Sequence, residues 1–339
     1  MPPASRSMSA PSRRATCTGW PAEGRRRRIW RGTRGMVGEG LAYVSAVVRD
    51  PAAVADLLAR AGGLATVAAG DDLHLVAVGG VGIALAPPGH ALVGQATATG
   101  VHHVALKARD LDAAAAAASA AGLRPEPAVA GLGGRRCRLP TDPGHGVETW
   151  LAEPPRLPAS NGLLKGIDHI GIASADNEAA EETFCRRLGY PVESRQIDQE
   201  FRVPLEVFSS DKYGVVHKSL QPELVGGLRC VFVALGGGDL EFLQDLNPGA
   251  EQGAGGTGSD STKNDKGAIA RFVARRGAGP HHLAFRVANT TEALLAFERA
   301  GARIMDRHGR PGGRRSQIGF VFPQSLGGLL IHMVERKPV

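Results

Sequence analysis

Cysteine is scarce and scattered. Cys17, Cys137, Cys185 and Cys230 stand alone in a chain of 339 residues, with no CxxC pair. That spacing argues against a thiolate metal site and suits a reducing compartment, so a cytoplasmic location is expected. No run of about 18 uninterrupted apolar residues occurs, so no membrane span is expected. Basic charge is also missing where a nucleic-acid binder would need it. The formal net charge is +7, yet residues 1–35 hold nine arginines against Glu23 alone, a net of +8 that leaves −1 for residues 36–339. A near-neutral body excludes a nucleic-acid function drawn from bulk charge.

The leader, 1–37, is rich in Ser, Pro, Gly and Arg without apolar periodicity, which predicts disorder. It lacks the apolar run of a secretory signal. Its Arg25–Arg28 block does not form the helical stripe of a transit peptide, and Met36 is an alternative start of translation.

The chain beyond the leader is repetitive. A strand pattern (41–48), a helix opened by Asp50 and Pro51 and stopped near Gly62, and strands at 64–68, 73–78 and 81–86 make one unit. A second has a strand at 101–108, a helix through the alanine-rich run 113–121, and strands at 128–130, 134–139 and 146–151. The Pro-rich stretch 152–162 is the best internal boundary. A third unit has a strand at 167–174, a helix over 177–188 and an extra hairpin (192–198, 204–208, 215–219) before strands 228–236 and 239–246. The polar loop 247–265 and a short helix, 267–277, come next. The fourth has a strand at 281–288, a helix ending at Gly301, and strands at 302–306, 317–322 and 328–334. The pattern predicts an α+β fold of four tandem βαβββ modules, two per domain, with mixed half-barrel sheets. Domains are expected at 38–152 and 165–337, joined by a linker, 153–164. A doubly wound fold would follow each helix with one parallel strand instead.

A histidine on an apolar strand is ordinarily a hydrogen-bonded core residue. Here three recur at matching positions, His169 in "DHIGIA", His282 in "HHLAF" and His332 in "LLIHMVE". Alternation puts His169 on the face of Gly171 and Ala173, and His332 opposite Ile331 and Met333. Glu241 in "DLEFLQ" is a carboxylate in an apolar strand, expensive unless paired or ligated. Together these four offer three imidazoles and a carboxylate, a set that suits one divalent Fe, Co, Mn, Ni or Zn ion better than Ca or Mg. Four such ligands leave two positions on a six-coordinate ion, whereas a tetrahedral zinc would be filled and structural. Asp168 and His281, adjacent in sequence to two of the ligands, are candidates to orient them, with simple packing or surface exposure as the equal alternative.

The repeats, "DHIGIA", "KGAIARFVARRGAGPHHLAFRV" and "GRPGGRRSQIGFVFPQSLGGLLIHMVE" resemble the vicinal oxygen chelate superfamily, which includes glyoxalase I, methylmalonyl-CoA epimerase and ring-cleaving and hydroxyphenylpyruvate dioxygenases. Residues 165–337 are most similar to the epimerase; 40–152 resemble the superfamily in outline. The resemblance implies the fold above and metal ligands at His169, Glu241, His282 and His332, the last standing where the epimerases have glutamate. It puts Cys230 where their catalytic glutamate lies, and leaves Glu206 and His217 in the inserted hairpin as alternative bases. In the N-terminal half the ligand slots fall on Tyr43, about Ile83, His103 and Glu148, which implies a metal-free half. Arg314 and Arg315 are candidates to hold a carboxylate or phosphate. The implied function is a metal-dependent epimerase or isomerase that stabilises an enolate of a small-molecule substrate such as an acyl-CoA. The alternatives are a non-haem Fe(II) dioxygenase and a non-catalytic small-molecule-binding or resistance protein. A homodimer is compatible with the resemblance.

Overall fold

The computed structural model describes residues 36–246 and 267–337, apart from 71, 204 and 220. Residues 1–35 of the leader and the loop 247–265 lie outside the described residues.

Helices begin where a short polar side chain can accept from the first free backbone N–H groups. Asp50 accepts from Ala53 at 2.9 Å to open α1 (Pro51–Gly62), and Gly63, at φ 67°, ends it in a left-handed turn. Asp110 caps α2 (Leu111–Ala120), and Asn289 caps α5 (Thr290–Arg299). The helix expected over 177–188 divides. Asp176 caps a short α3 (Asn177–Ala180), and Glu181–Arg187 continues as π-type turns, with the Leu188 N–H reaching back to the Thr183 carbonyl at 3.0 Å. That wider turn brings buried Phe184 onto Phe242, ring centroids 5.6 Å apart. The remaining helix, α4, spans Ala268–Arg276.

The first sheet comprises β1 (Leu41–Val47), β2 (Ala65–Ala68), β3 (His74–Val78), β4 (Val81–Ala86), β5 (Gly100–Lys107), β6 (Val129–Ala130), β7 (Arg135–Leu139) and β8 (Glu148–Ala152), in the order β2-β3-β4-β1-β5-β8-β7-β6. The second uses β9 (Gly166–Ala173), β10 (Val192–Arg202), β13 (Glu223–Ala234), β14 (Asp239–Asp245), β15 (Gly279–Val287), β16 (Arg310–Gly312), β17 (Ser316–Val321) and β18 (Ile331–Arg336), in the order β10-β13-β14-β9-β15-β18-β17-β16. The two orders correspond strand for strand, with a central antiparallel pair (β1–β5, β9–β15) flanked by parallel neighbours. The inserted hairpin, β11 (Leu205–Ser210) and β12 (Gly214–Ser219), pairs only with itself among the described residues.

One face of each sheet meets the helices. Val44 and Ala46 of β1, Ile170 and Ile172 of β9, Leu58 of α1 and Phe297 of α5 share one buried core across both halves. The other face of each sheet curls into a cup with its own small apolar clusters. The strand expected over 302–306 is instead a single bridge, Ile304 to Val321, and the sheet edge is completed by β16. No helix among the described residues is long and apolar enough to cross a membrane.

Period-two alternation is broken at two places beside each cup. Between β9 and β15, Ala284 faces His169 but Phe285 faces Ile167, so Asp168 is an extra residue; His281 is a second one, between Pro280 and His282. The β1–β5 pair repeats both irregularities, skipping Ala42 and His102. A bulge turns a side chain that alternation would send into the core. Here it brings His281 beside His282, and Asp168 beside His169.

Candidate metal centre

His169 (β9), His282 (β15), His332 (β18) and Glu241 (β14) come from four adjacent strands and meet on the floor of the C-terminal cup. Nε2 of His169 lies 3.1 Å from the Glu241 carboxylate, 3.3 Å from Nε2 of His282 and 3.1 Å from Nε2 of His332; His282 is 3.6 Å from Glu241. All three histidines are buried. Gly171 makes room, because a Cβ there would stand 2.0 Å from the His282 ring.

Burial disfavours a charged His169, but Glu241 and Asp168 outweigh it and lift its pKa to about 9. Burial would raise Glu241, yet His169 and His282 hold it well below the usual carboxylate range. His332 is pushed well down by burial, with the other two imidazoles adding to the effect. Its Nδ1 is buried without a partner.

These donors fit a divalent transition metal. Imidazole nitrogens about 2.1 Å from a shared ion lie about 3 Å apart when adjacent in an octahedron, close to the spacings found. Protons alone serve the cluster poorly, since three Nε2 atoms face one another and each contact needs one donor and one acceptor. His169, His282 and His332 could together hold such an ion.

The histidines are buttressed from behind. Asp168 accepts from Nδ1 of His169 at 2.8 Å, and Arg336 grips both its oxygens, with Nε at 2.9 Å. Burial opposes ionisation of Asp168, but His169 and Arg336 prevail and keep it a carboxylate. His281 Nδ1 lies 3.1 Å from Nδ1 of His282, and burial, reinforced by His282, holds its pKa down to about 3. Both neighbours fix the orientation of a ring that faces the cup.

Above this floor lies a cavity of about 470 Å³, lined by Cys230, Phe232, Ile269, Met305, Ile318 and Leu330, among others. Cys230 faces it, but burial pushes its thiol well up, and Glu241 adds to the rise. The group is a protonated thiol at neutral pH. Glu206 and His217 lie on β11 and β12, and their side chains are outside the described residues. Arg314 reaches the cavity in a left-handed conformation, φ 53°, stacked 3.6 Å over Phe232 and paired with Asp239 at 2.7 Å and Glu193 at 2.9 Å. It is committed to the wall. Arg315 is exposed and outside the cavity lining.

Asp198 is a cavity residue that the sequence motifs did not single out. It lies on β10, shares the cavity face with Gln196, and receives the Gln196 amide on both carboxylate oxygens at 3.1 and 2.9 Å. The signal was present as "QIDQ", polar residues two apart in a strand with Ile197 facing outward. Arg310, 5.3 Å over the Phe320 ring, is a second such residue.

Strand register also corrects the N-terminal slots. Tyr43 faces Ala105 as His169 faces Ala284. Gly82 pairs with Tyr43 as Asp239 pairs with His169, so Ala84, not Ile83, stands where Glu241 does. Ala105 pairs with Trp150 as Ala284 pairs with His332, so Trp150, not Glu148, holds the last slot. Of Tyr43, Ala84, His103 and Trp150, only His103 carries an imidazole.

Residues 168–322 match the sequence profile of the Glyoxalase/Bleomycin resistance protein/Dioxygenase superfamily. A triple mutant of 4-hydroxymandelate synthase from Streptomyces coelicolor shares the fold over 89% of this chain and 94% of its own, with a TM-score of 0.57 at 15% identity. The two curled eight-stranded sheets are accordingly two α+β domains of vicinal-oxygen-chelate type. Methylmalonyl-CoA epimerase from Mycobacterium tuberculosis is similar over 53% of this chain and 94% of its own, at 24% identity and a TM-score of 0.38. The uncharacterized protein YqjC of Bacillus subtilis is 32% identical over 66 residues; the match spans 20% of this chain and 47% of that relative's length.

Proposed function

We propose that the C-terminal cup is the active site of a divalent-metal-dependent isomerase or epimerase. It would act on a small molecule with adjacent oxygens and an acidic C–H, such as an acyl-CoA thioester. The reading is carried by His169 lying within 3.1–3.3 Å of Glu241, His282 and His332, with His282 3.6 Å from Glu241. A metal held by these four supplies a Lewis acid for negative charge developing on a substrate oxygen. Asp168 and His281 keep two of the rings in register. Asp198 is the base: its carboxylate is half-buried in the cavity wall and fixed by Gln196. Cys230, on the neighbouring strand, holds its proton at neutral pH; if it protonated the carbanion, the thiolate left would recover a proton from the protonated Asp198 or from solvent before the next turnover. The apolar wall excludes water from the intermediate.

Donor count favours this reading over a dioxygenase. A two-histidine, one-carboxylate triad leaves three positions of an octahedron. Four protein donors on such an ion would leave two, which would suit a chelating substrate better than a substrate together with O₂.

The test is solvent deuterium incorporation at the α-carbon of a panel of acyl-CoA thioesters, with oxygen uptake followed in the same Mn²⁺- or Co²⁺-loaded sample. Exchange without O₂ uptake is expected, and Asp198→Asn should slow it by about 100-fold or more. Stoichiometric O₂ consumption without exchange would replace this reading with the oxygenase.

A further inference from the structure

The N-terminal cup contains an anomaly the metal chemistry does not touch. Strand β7 carries three arginines. Arg135 pairs with Asp112 and Glu153, each at 3.1 Å, and Arg138 pairs with Glu126 at 3.1 Å and approaches Glu148 at 3.7 Å. Between them Arg136 turns into the cup and is only 5% exposed. Its guanidinium lies 4.0 Å over the Trp150 ring, and its Nε and Nη1 are buried without hydrogen-bond partners. No carboxylate among the described residues pairs with it. Glu148, on the neighbouring strand, is taken up by Trp150 Nε1 at 2.9 Å and approached by Arg138 at 3.7 Å.

Other polar atoms collect around the same point. Ser45 Oγ and His103 Nε2 are fully buried and unpartnered, and the buried Tyr43 hydroxyl faces the Arg136 guanidinium, which acts on it as a neighbouring charge and donor. The Tyr43 and His103 rings are 5.9 Å apart, and His103 and Trp150 5.8 Å. Nδ1 of His103 lies 2.8 Å from Nδ1 of His102, which fixes the ring and leaves its Nε2 directed into the cup. Burial keeps His103 neutral, with His102 and Arg136 adding to the effect. A buried guanidinium without a counter-charge is strongly unfavourable. The cup has donors to spare and lacks an anion. Two nearby arginines also make it a poor place for a cation, although His102, His103 and Glu148 come close enough together to suggest one.

We propose that the N-terminal cup is a binding site for a small carboxylate. The planar fork of Arg136 would hold the two oxygens, and the Tyr43 hydroxyl and His103 Nε2–H would complete the grip. A fork of parallel N–H groups matches a planar carboxylate in a way a point charge does not. Half-exposed His102, Glu148 and Trp150 form the mouth through which the ligand enters. This site stands apart from the metal centre and does not depend on the reaction assigned to it.

The experiment is calorimetric titration of the full chain with acetate, benzoate and inorganic phosphate, each with and without EDTA. Expected are saturable binding of one carboxylate per chain that survives EDTA, affinity lower by about tenfold or more in Arg136→Met, and a smaller loss in Tyr43→Phe. Without ligand, Arg136→Met should melt no lower than the native protein, since it removes an unpaired buried charge. No saturable carboxylate binding to the native chain would overturn the proposal, whatever the variants do. So would tighter binding of phosphate, or carboxylate binding that EDTA abolishes and Arg136→Met leaves intact, which would place the ligand in the C-terminal cavity.

Discussion

Gly171 shows how much of the metal centre rests on the smallest side chain. With a Cβ 2.0 Å from the His282 ring, Gly171→Ala must displace that imidazole or the strand beneath it. The substitution is predicted to cost about 1–3 kcal/mol of stability and to weaken Mn²⁺ binding at least tenfold, read by denaturant melts and calorimetry. His332 provides a contrasting case. His332→Glu retains a donor on the same strand position and should keep one ion per chain, while His332→Ala should lose it or bind about tenfold more weakly. At His145 the prediction concerns pH. It is buried between Phe184 and Phe242, and burial holds its pKa down to about 4, against an unfolded value of 6.5. The unfolded chain therefore binds the extra proton first as pH falls. Its contribution to stability is complete above pH 6.5 and is lost on descending towards pH 4. His145→Asn, which keeps an acceptor for the Val147 N–H (3.1 Å in the native protein), should flatten stability against pH over that window by up to one proton.

Among the elements, the β11–β12 hairpin is the least integrated. Val207, Phe208, Tyr213 and Val215 are exposed, and its strands join neither eight-stranded sheet. Arg202 and Glu223 pair across its base, so residues 203–222 can be replaced by Asn-Gly, a two-residue turn suited to closing β10 onto β13. The shortened protein should fold with an unchanged melting temperature and aggregate less. It also discriminates between bases: deuterium exchange survives if Asp198 takes the proton and disappears if Glu206 or His217 does. Most strands and helices are legible in the sequence because Asp50, Asp110 and Asn289 mark helix starts and apolar alternation marks strands. His169, Glu241, His282 and His332 are legible for a related reason, as polar residues on strands otherwise apolar. The bulges are not. Period two assigns Asp168 and His169 to opposite faces, and only the register of a distant strand shows them turned to the same cup. Ile83 and Glu148 miss the slots that Ala84 and Trp150 fill because the register between strands far apart in the chain is not written in local alternation. The strand expected at 302–306 does not form because its residues have a partner at one bridge only.

At the scale of the molecule, duplication has left two cups on a common core, one with converging metal donors and one with an unpaired arginine. Among the described residues the buried core begins at Val37. A chain starting at Met36 should therefore keep its metal stoichiometry and melting temperature while losing the +8 carried by residues 1–35. The most direct test of the metal centre is metal binding by the native chain and by single alanine variants of His169, Glu241, His282 and His332, with His103→Ala as control. One transition-metal ion per native chain is expected, with affinity at least tenfold lower in each of the four variants and unchanged in the control. Full retention of the ion by all four variants, or its loss with His103 alone, would show that the ion does not sit among these four side chains.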